Sequence, residues 1–177
     1  LCSEILQVQE PSMINDVQEY EQLGTDISCN LGSTNIVNLM DSPNFGKSVR
    51  AMTRALTFIT DASDIEVVPS IRNGNRLNHT IGLGAMGLHT YFAKNEMEYG
   101  SPESIEFTDV YFMLLNYWTL VESNNIAKER KETFHNFDKS DYANGSYFDT
   151  YINKPILPQS DKVKDLDSNI SIAFFTF

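Results

Sequence analysis

Asp26-Ile27-Ser28-Cys29-Asn30-Leu31-Gly32-Ser33 contains one of the chain's two cysteines, and Leu1-Cys2-Ser3-Glu4-Ile5 contains the other, 27 residues earlier. In the earlier stretch a carboxylate follows the thiol by two positions. If that segment is extended, side chains at i and i+2 point to the same side, so Cys2 and Glu4 can address one bound molecule together. A carboxylate serves as a proton acceptor when its pKa lies near working pH, which burial favours. A lone buried cysteine, by contrast, is ordinarily a small hydrophobe whose reactivity must come from its surroundings. A third block, Thr80-Ile81-Gly82-Leu83-Gly84-Ala85-Met86-Gly87-Leu88-His89, concentrates small residues before an apolar run.

Outward from these stretches the composition is that of an ordinary globular chain. Its 177 residues are 41% hydrophobic and 21% charged, enough for a single core. The net charge of −11 speaks against binding nucleic acid through its phosphates, which requires a basic footprint. It leaves room for a local positive site that takes an anionic nucleotide. No apolar run approaches the ~20 residues of a membrane span, and Glu4, Gln7, Gln9 and Glu10 occupy the place of a signal peptide's basic and apolar regions. The expectation is a cytoplasmic protein with reduced thiols and no membrane partner.

Leu1–Val8 reads as a short strand or extended loop, followed by a polar connection containing Pro11. A turn is expected around Asn30-Leu31-Gly32-Ser33, and another at Asp41-Ser42-Pro43-Asn44. Val49, Met52, Leu56 and Ile59 recur at helical spacing between Phe45 and Ile65, with Arg50, Arg54 and Asp61 expected to face water. Asn73-Gly74-Asn75 reads as a loop, and a second helix is expected from about Gly84 to Asn95. Ser101 as N-cap, Pro102 at the first position, and Glu103 and Glu106 in the opening turns predict a third helix. Its apolar face would comprise Ile105, Val110, Met113, Leu114, Tyr117 and Val121, and the helix would run as far as Glu132. Tyr142–Phe148 reads as a turn before a short aromatic segment, and Pro155 and Pro158 exclude regular structure.

Gly82-Leu83-Gly84-Ala85-Met86-Gly87 satisfies G-x-G-x-x-G, but the dinucleotide fingerprint needs a strand before it and an acidic residue ~20 positions on. The polar run Asn73–His79 does not supply that strand, so close packing at a helix start is the better reading. His79, His89 and His135 are scattered, without a companion cysteine at ligand spacing, so no metal site is expected. The acidic residues between Asp138 and Asp149 read as solvated surface, and Tyr111, Tyr117 and Trp118 as core.

Taken together, the two cysteine stretches and the Thr80–His89 block resemble the active-site region of the catalytic (large) subunit of class I ribonucleotide reductase. The 27-residue spacing resembles the class Ib branch best. The resemblance runs from Leu1 to roughly Lys164, with a divergent tail from about 165. It implies an α/β fold in which residues 1–177 are a helix-rich part of a ten-stranded α/β barrel, Leu1–Leu6 being its central loop. It also implies roles. Cys2 would carry a transient thiyl radical that removes hydrogen from the ribose 3′ carbon, and Glu4 would take the proton from the neighbouring hydroxyl. Cys29 would be half of a dithiol that reduces the 2′ position and ends as a disulfide. Leu1, Cys2, Ser3 and Glu4 would line the substrate, Leu1 and Ser3 through their backbone.

The implied substrate is a ribonucleoside diphosphate, reduced to a deoxyribonucleotide for DNA synthesis. The resemblance implies no cofactor or metal in this chain: a metal-bearing small subunit would supply the radical, and an external dithiol the electrons. Cys29's dithiol partner, the loop that holds the substrate phosphates and the tyrosines that relay the radical would belong to further segments of the large subunit. A chain that opens on Leu1 instead of Met is expected to be such a piece. The competing expectation is a non-catalytic remnant, or one assembly piece of a split reductase, inactive alone.

Overall fold

Between Gln7 and Ser28 the chain folds back on itself as a two-ply ribbon, in a computed structural model that describes residues 7–28, 30–153 and 158–164. Strands β1 (Met13–Ile14) and β2 (Tyr20–Gln22) pair antiparallel. Their turn is closed by the Asn15 side chain, whose Oδ1 accepts from the N–H groups of Val17 (3.1 Å) and Glu19 (2.9 Å). The ribbon continues toward its open end. There Thr25 N–H donates to the Glu10 carbonyl (2.9 Å), and Glu10 N–H donates to Thr25 Oγ1 (2.8 Å). At Gly24 a Cβ would overlap the Glu10 carbonyl oxygen, so only glycine lets the two plies approach this closely.

Strand β3 (Leu31–Asn35) and strand β4 (Gly82–Met86) run parallel, from Leu31 opposite Gly82 to Asn35 opposite Met86. Parallel strands need a crossover connection. Here it comprises α1 (Ile36–Met40), α2 (Phe45–Ala62) and α3 (Pro69–Asn78). The β3 strand replaces the turn expected at Asn30–Ser33, because Leu31, Gly32 and Ser33 are paired by the distant Gly82–Gly84 stretch. Asn35 caps α1 by accepting from Asn38 N–H at 3.1 Å, and 41–44 form the expected turn.

After β4, Gly87 takes a left-handed conformation (φ +84°) and admits the chain to α4 (Leu88–Lys94). The long α5 (Pro102–Arg130) begins as its sequence predicts, with Ser101 Oγ accepting from Ser104 N–H at 3.2 Å. The short helices α6 (Asp141–Asn144), α7 (Ser146–Asn153) and α8 (Asp161–Lys164) follow. Glu106 does more than favour the dipole of α5: its carboxylate accepts the N–H groups of Gln159 and, at 3.0 Å, Ser160. The architecture is the expected helix-rich α/β arrangement.

The principal packing is α2 against α5, so close that a Cβ at Gly46 would lie 2.5 Å from Trp118 Cε2. Phe107 forms the centre of the core. Tyr91 stacks on it at 4.3 Å between ring centroids, and Phe92 meets it edge-on at 5.8 Å. Tyr111 and Tyr117 are core, as read from their spacing, with Trp118 packed against them. Two members of the expected helix stripes point elsewhere: Ile59 and Ile105 are exposed. Arg50 and Arg54 are not free in water either, because both reach Glu122 of α5.

Candidate functional site

Cys2, Glu4, their neighbours Leu1 and Ser3, and Cys29 all lie outside the described residues. The chain after Leu6 and on both sides of position 29 is described, and Gln7 meets Ser28. Gln7, just after the first cysteine stretch, donates from Nε2 to the carbonyl of Ser28 at 2.6 Å. The open end of the ribbon thus joins the chain that follows Leu6 to the residue that precedes Cys29. On Cys29's other side, the Asn30 carbonyl accepts Gly82 N–H at 2.9 Å, which starts the β3–β4 ladder. The Asn30 side-chain Nδ2 is buried and has no partner among the described residues.

Helix α3 grips the 24–28 segment through alternate residues. Asn73 Nδ2 donates to the Gly24 carbonyl (2.9 Å) and Asp26 N–H to the Ser70 carbonyl (3.1 Å). Ser70 Oγ donates to Asp26 Oδ2 (2.5 Å), and the Ser28 hydroxyl donates to Asn75 Oδ1. Asn75 is itself tied to the end of α2, donating from Nδ2 to the Ser63 carbonyl at 3.3 Å. A Cβ at Gly74 would overlap the Asp26 carbonyl oxygen. Asn73-Gly74-Asn75 is therefore helix where the sequence suggests loop: the glycine serves close approach, and the asparagines bind the 24–28 segment. Sequence reasoning missed Gln7, Ser70 and Asn75, whose partners lie 21, 44 and 47 residues away and leave no local signature.

Beneath the parallel pair, Thr34 Oγ1 donates to the Gly84 carbonyl at 3.1 Å, which leaves it as acceptor for the Tyr111 hydroxyl at 2.9 Å. Burial raises the Tyr111 pKa, against the Thr34 hydrogen bond, so this phenol stays protonated and acts as a donor. The glycine motif lies mostly in a strand: Gly82 and Gly84 are within β4, packed against Leu31 and Ser33, and only Gly87 stands at the start of α4. A phosphate loop would follow a strand instead of forming it.

A groove of about 700 Å³ lies elsewhere. It lies over α5 and is lined by residues such as Thr57, His79, Tyr117, Ile126, Phe134 and Phe148, with none of the cysteine-flanking residues. His79 bonds Asp61 Oδ1 through Nδ1 at 2.9 Å, and its Nε2 is buried without a partner among the described residues. Burial raises the Asp61 pKa, but hydrogen bonds from Arg130 and His79 outweigh it and hold the carboxyl below the usual range. Among the described residues no three His, Cys, Asp or Glu side chains form a group that could hold a metal, and no helix is long and apolar enough to cross a membrane.

The "Ribonucleotide reductase, barrel domain" family profile matches residues 1–172. The chain belongs to the ribonucleotide reductase barrel-domain family. It is 41% identical over 172 residues to the ribonucleoside-diphosphate reductase subunit alpha of Bacillus subtilis, covering 97% of this chain and 25% of that one. The subunit alpha of Mycoplasma pneumoniae is 42% identical over 170 residues, 94% of this chain and 23% of its own. The NrdEB subunit alpha of Bacillus phage SPbeta is 41% identical over 165 residues, 93% of this chain and 15% of its own. The chain thus spans a quarter or less of the length of these relatives. The matched region contains the parallel β3–β4 pair with its helical crossover and the cysteine-flanking ribbon.

Proposed function

We propose that this chain is the catalytic barrel piece of a class Ib ribonucleoside-diphosphate reductase alpha subunit, residues 1–177 forming one part of that domain with a divergent tail from about 165. The substrate is a ribonucleoside diphosphate, lined by Leu1, Cys2, Ser3 and Glu4. Cys2, as a thiyl radical, takes the 3′ hydrogen, and Glu4 accepts the proton of the neighbouring hydroxyl. The 2′ hydroxyl leaves as water with a proton from the dithiol, and Cys2 finally returns its hydrogen to the 3′ carbon, which restores the thiyl radical. The two electrons come from a dithiol of which Cys29 is half, ending as a disulfide that an external dithiol must reduce. The radical originates on a metal-bearing small subunit, so this chain carries no cofactor of its own. A cytoplasmic setting keeps such thiols reduced.

One observation carries this reading: the Gln7–Ser28 hydrogen bond at 2.6 Å, which brings the flanks of the two cysteine stretches together. Division of labour between two thiols requires that they serve one substrate, and effective catalysis requires them in one geometry. The names of the relatives support the same chemistry.

The test is turnover of a labelled ribonucleoside diphosphate by the large subunit carrying this sequence, with a small subunit and dithiol reductant. Cys2→Ser keeps the shape and removes the hydrogen-abstracting sulfur, so turnover vanishes while subunit assembly persists. Glu4→Gln, which cannot accept the proton, lowers it severely. A Cys2→Ser subunit with more than a trace of activity would sink the assignment.

A further inference from the structure

We propose that Asn144 is a modification site: it deamidates spontaneously, and its isoaspartyl product releases α7 from α5. The chain holds two Asn-Gly pairs, Asn73-Gly74 and Asn144-Gly145. In such a pair the main-chain nitrogen of the glycine, unshielded by any Cβ, can attack the asparagine Cγ. The N–Cγ bond forms and the Cγ–Nδ2 bond breaks. Ammonia leaves with the proton of the glycine N–H, and a succinimide ring remains. Water then opens that ring at either carbonyl, giving aspartate or isoaspartate, with nothing oxidised or reduced.

The two pairs share one local chemistry, and the fold separates them. Asn73 lies midway along α3, and its Nδ2, the group that would leave, donates to the Gly24 carbonyl at 2.9 Å. Gly74 is buried against the Asp26 carbonyl, so ring closure there requires α3 to open. Asn144 is the exposed last residue of α6, a helix that buries none of its residues. Its Nδ2 has no partner among the described residues. Gly145 takes φ +84°, with nothing within 4 Å of where a Cβ would stand, so water and base reach the pair.

The same corner starts α7. Asn144 Oδ1 accepts Ser146 N–H at 2.8 Å, and Ser146 Oγ donates to Asp141 Oδ1 at 2.9 Å. From there α7 reaches α5 through Tyr147 and Tyr151, whose hydroxyls each accept from Asn116 Nδ2 at 2.8 Å. Isoaspartate routes the main chain through its former side chain, which adds a backbone atom between α6 and α7. That extra atom moves Ser146 off its acceptors and the tyrosines off Asn116. Aspartate adds no backbone atom, and its charge is favourable at the N-terminus of α7.

The experiment ages the large subunit carrying this sequence at neutral and mildly alkaline pH, both native and in urea. Peptide mapping by mass spectrometry reads conversion at Asn144 and Asn73 and separates isoaspartate from aspartate. Native Asn144 converts at least about tenfold faster than native Asn73, the factor that matches the net hydrogen bonds lost on opening α3. In urea the two rates converge, because the unfolded pairs are chemically alike. Native Asn73 keeping pace with Asn144, or Asn144 surviving native ageing while the unfolded chain converts, would overturn the assignment. The consequence is read separately, as amide hydrogen exchange across Ser146–Asn153. The isoaspartyl form exchanges about tenfold faster than fresh protein, as loss of the two tyrosine bonds to Asn116 requires. Asn144→Asp stays with the fresh protein, and so does Asn144→Ser aged alongside, which excludes damage elsewhere as the cause. Fresh-protein exchange in the isoaspartyl form would overturn the release of α7.

Discussion

Replacing Glu122 by Gln probes the main helix–helix junction. The Glu122 side chain is 4% exposed and its carboxylate accepts from Arg50 Nε at 2.7 Å, Arg54 Nε at 2.6 Å and Arg54 Nη2 at 2.5 Å. Burial pushes its pKa up, but the hydrogen bonds from Arg50, Arg54 and Asn125 outweigh that and hold it below the usual carboxylate range. A hydrogen bond to a charged group contributes roughly 1.5–3 kcal/mol. The amide keeps one acceptor, and the arginine side chains, 44% and 48% exposed, recover part of their hydration. The loss is therefore about 2 kcal/mol. For a chain of this size that lowers Tm by roughly 4–8 °C. The pH dependence has a definite sign. With the folded pKa below the unfolded value of about 4.3, the contribution is fully present above that value and is lost as pH falls through the folded pKa. Thermal unfolding from neutral to acidic pH should show Glu122→Gln losing stability at neutral pH, with a shallower acid limb than the parent. Exposed Glu129→Gln should shift Tm only slightly. An unchanged Tm and acid limb in Glu122→Gln would refute the reasoning.

Tyr111→Phe deletes the hydroxyl that Thr34 accepts at 2.9 Å and should cost about 1 kcal/mol in chemical denaturation, with the midpoint moving and the slope unchanged. Gly74→Ala places a methyl on the Asp26 carbonyl oxygen and should destabilise by roughly 1–3 kcal/mol, measured the same way. The 177-residue chain assayed alone, with small subunit and reductant, should give no labelled deoxyribonucleotide, since its relatives devote at least three quarters of their length to other segments. Cys29 should titrate as a free thiol in the resting protein, and a native Cys2–Cys29 disulfide found by mass measurement would point to a structural role for both.

What was legible in the sequence is what depends on near neighbours. Ser101 and Pro102 start α5 through contacts within one turn, and the Asp41–Asn44 turn is equally local. The misreadings share one cause, a partner far along the chain. Asn30–Ser33 looks like a turn until Gly82–Gly84 pairs with Leu31–Ser33; the same ladder turns the helix start expected at about Gly84 into β4. Gly74 signals a loop until the Asp26 carbonyl fills the space where its side chain would be. Arg50 and Arg54 read as solvated until Glu122, 72 and 68 residues on, receives them. The two cysteine stretches made the family legible, because residue type and spacing together set them apart from chance. Gln7, Ser70 and Asn75, which hold their surroundings, carry no such mark.

The division of labour between the two thiols is tested most directly by a single turnover. The pre-reduced large subunit is mixed with small subunit and labelled ribonucleoside diphosphate, without external reductant, then alkylated and mapped by mass spectrometry. The account predicts a burst of deoxyribonucleotide of about one equivalent per site, with Cys29 recovered in a disulfide to a cysteine outside residues 1–177 and Cys2 recovered as an alkylated thiol. A full burst that leaves Cys29 as a free thiol would contradict it.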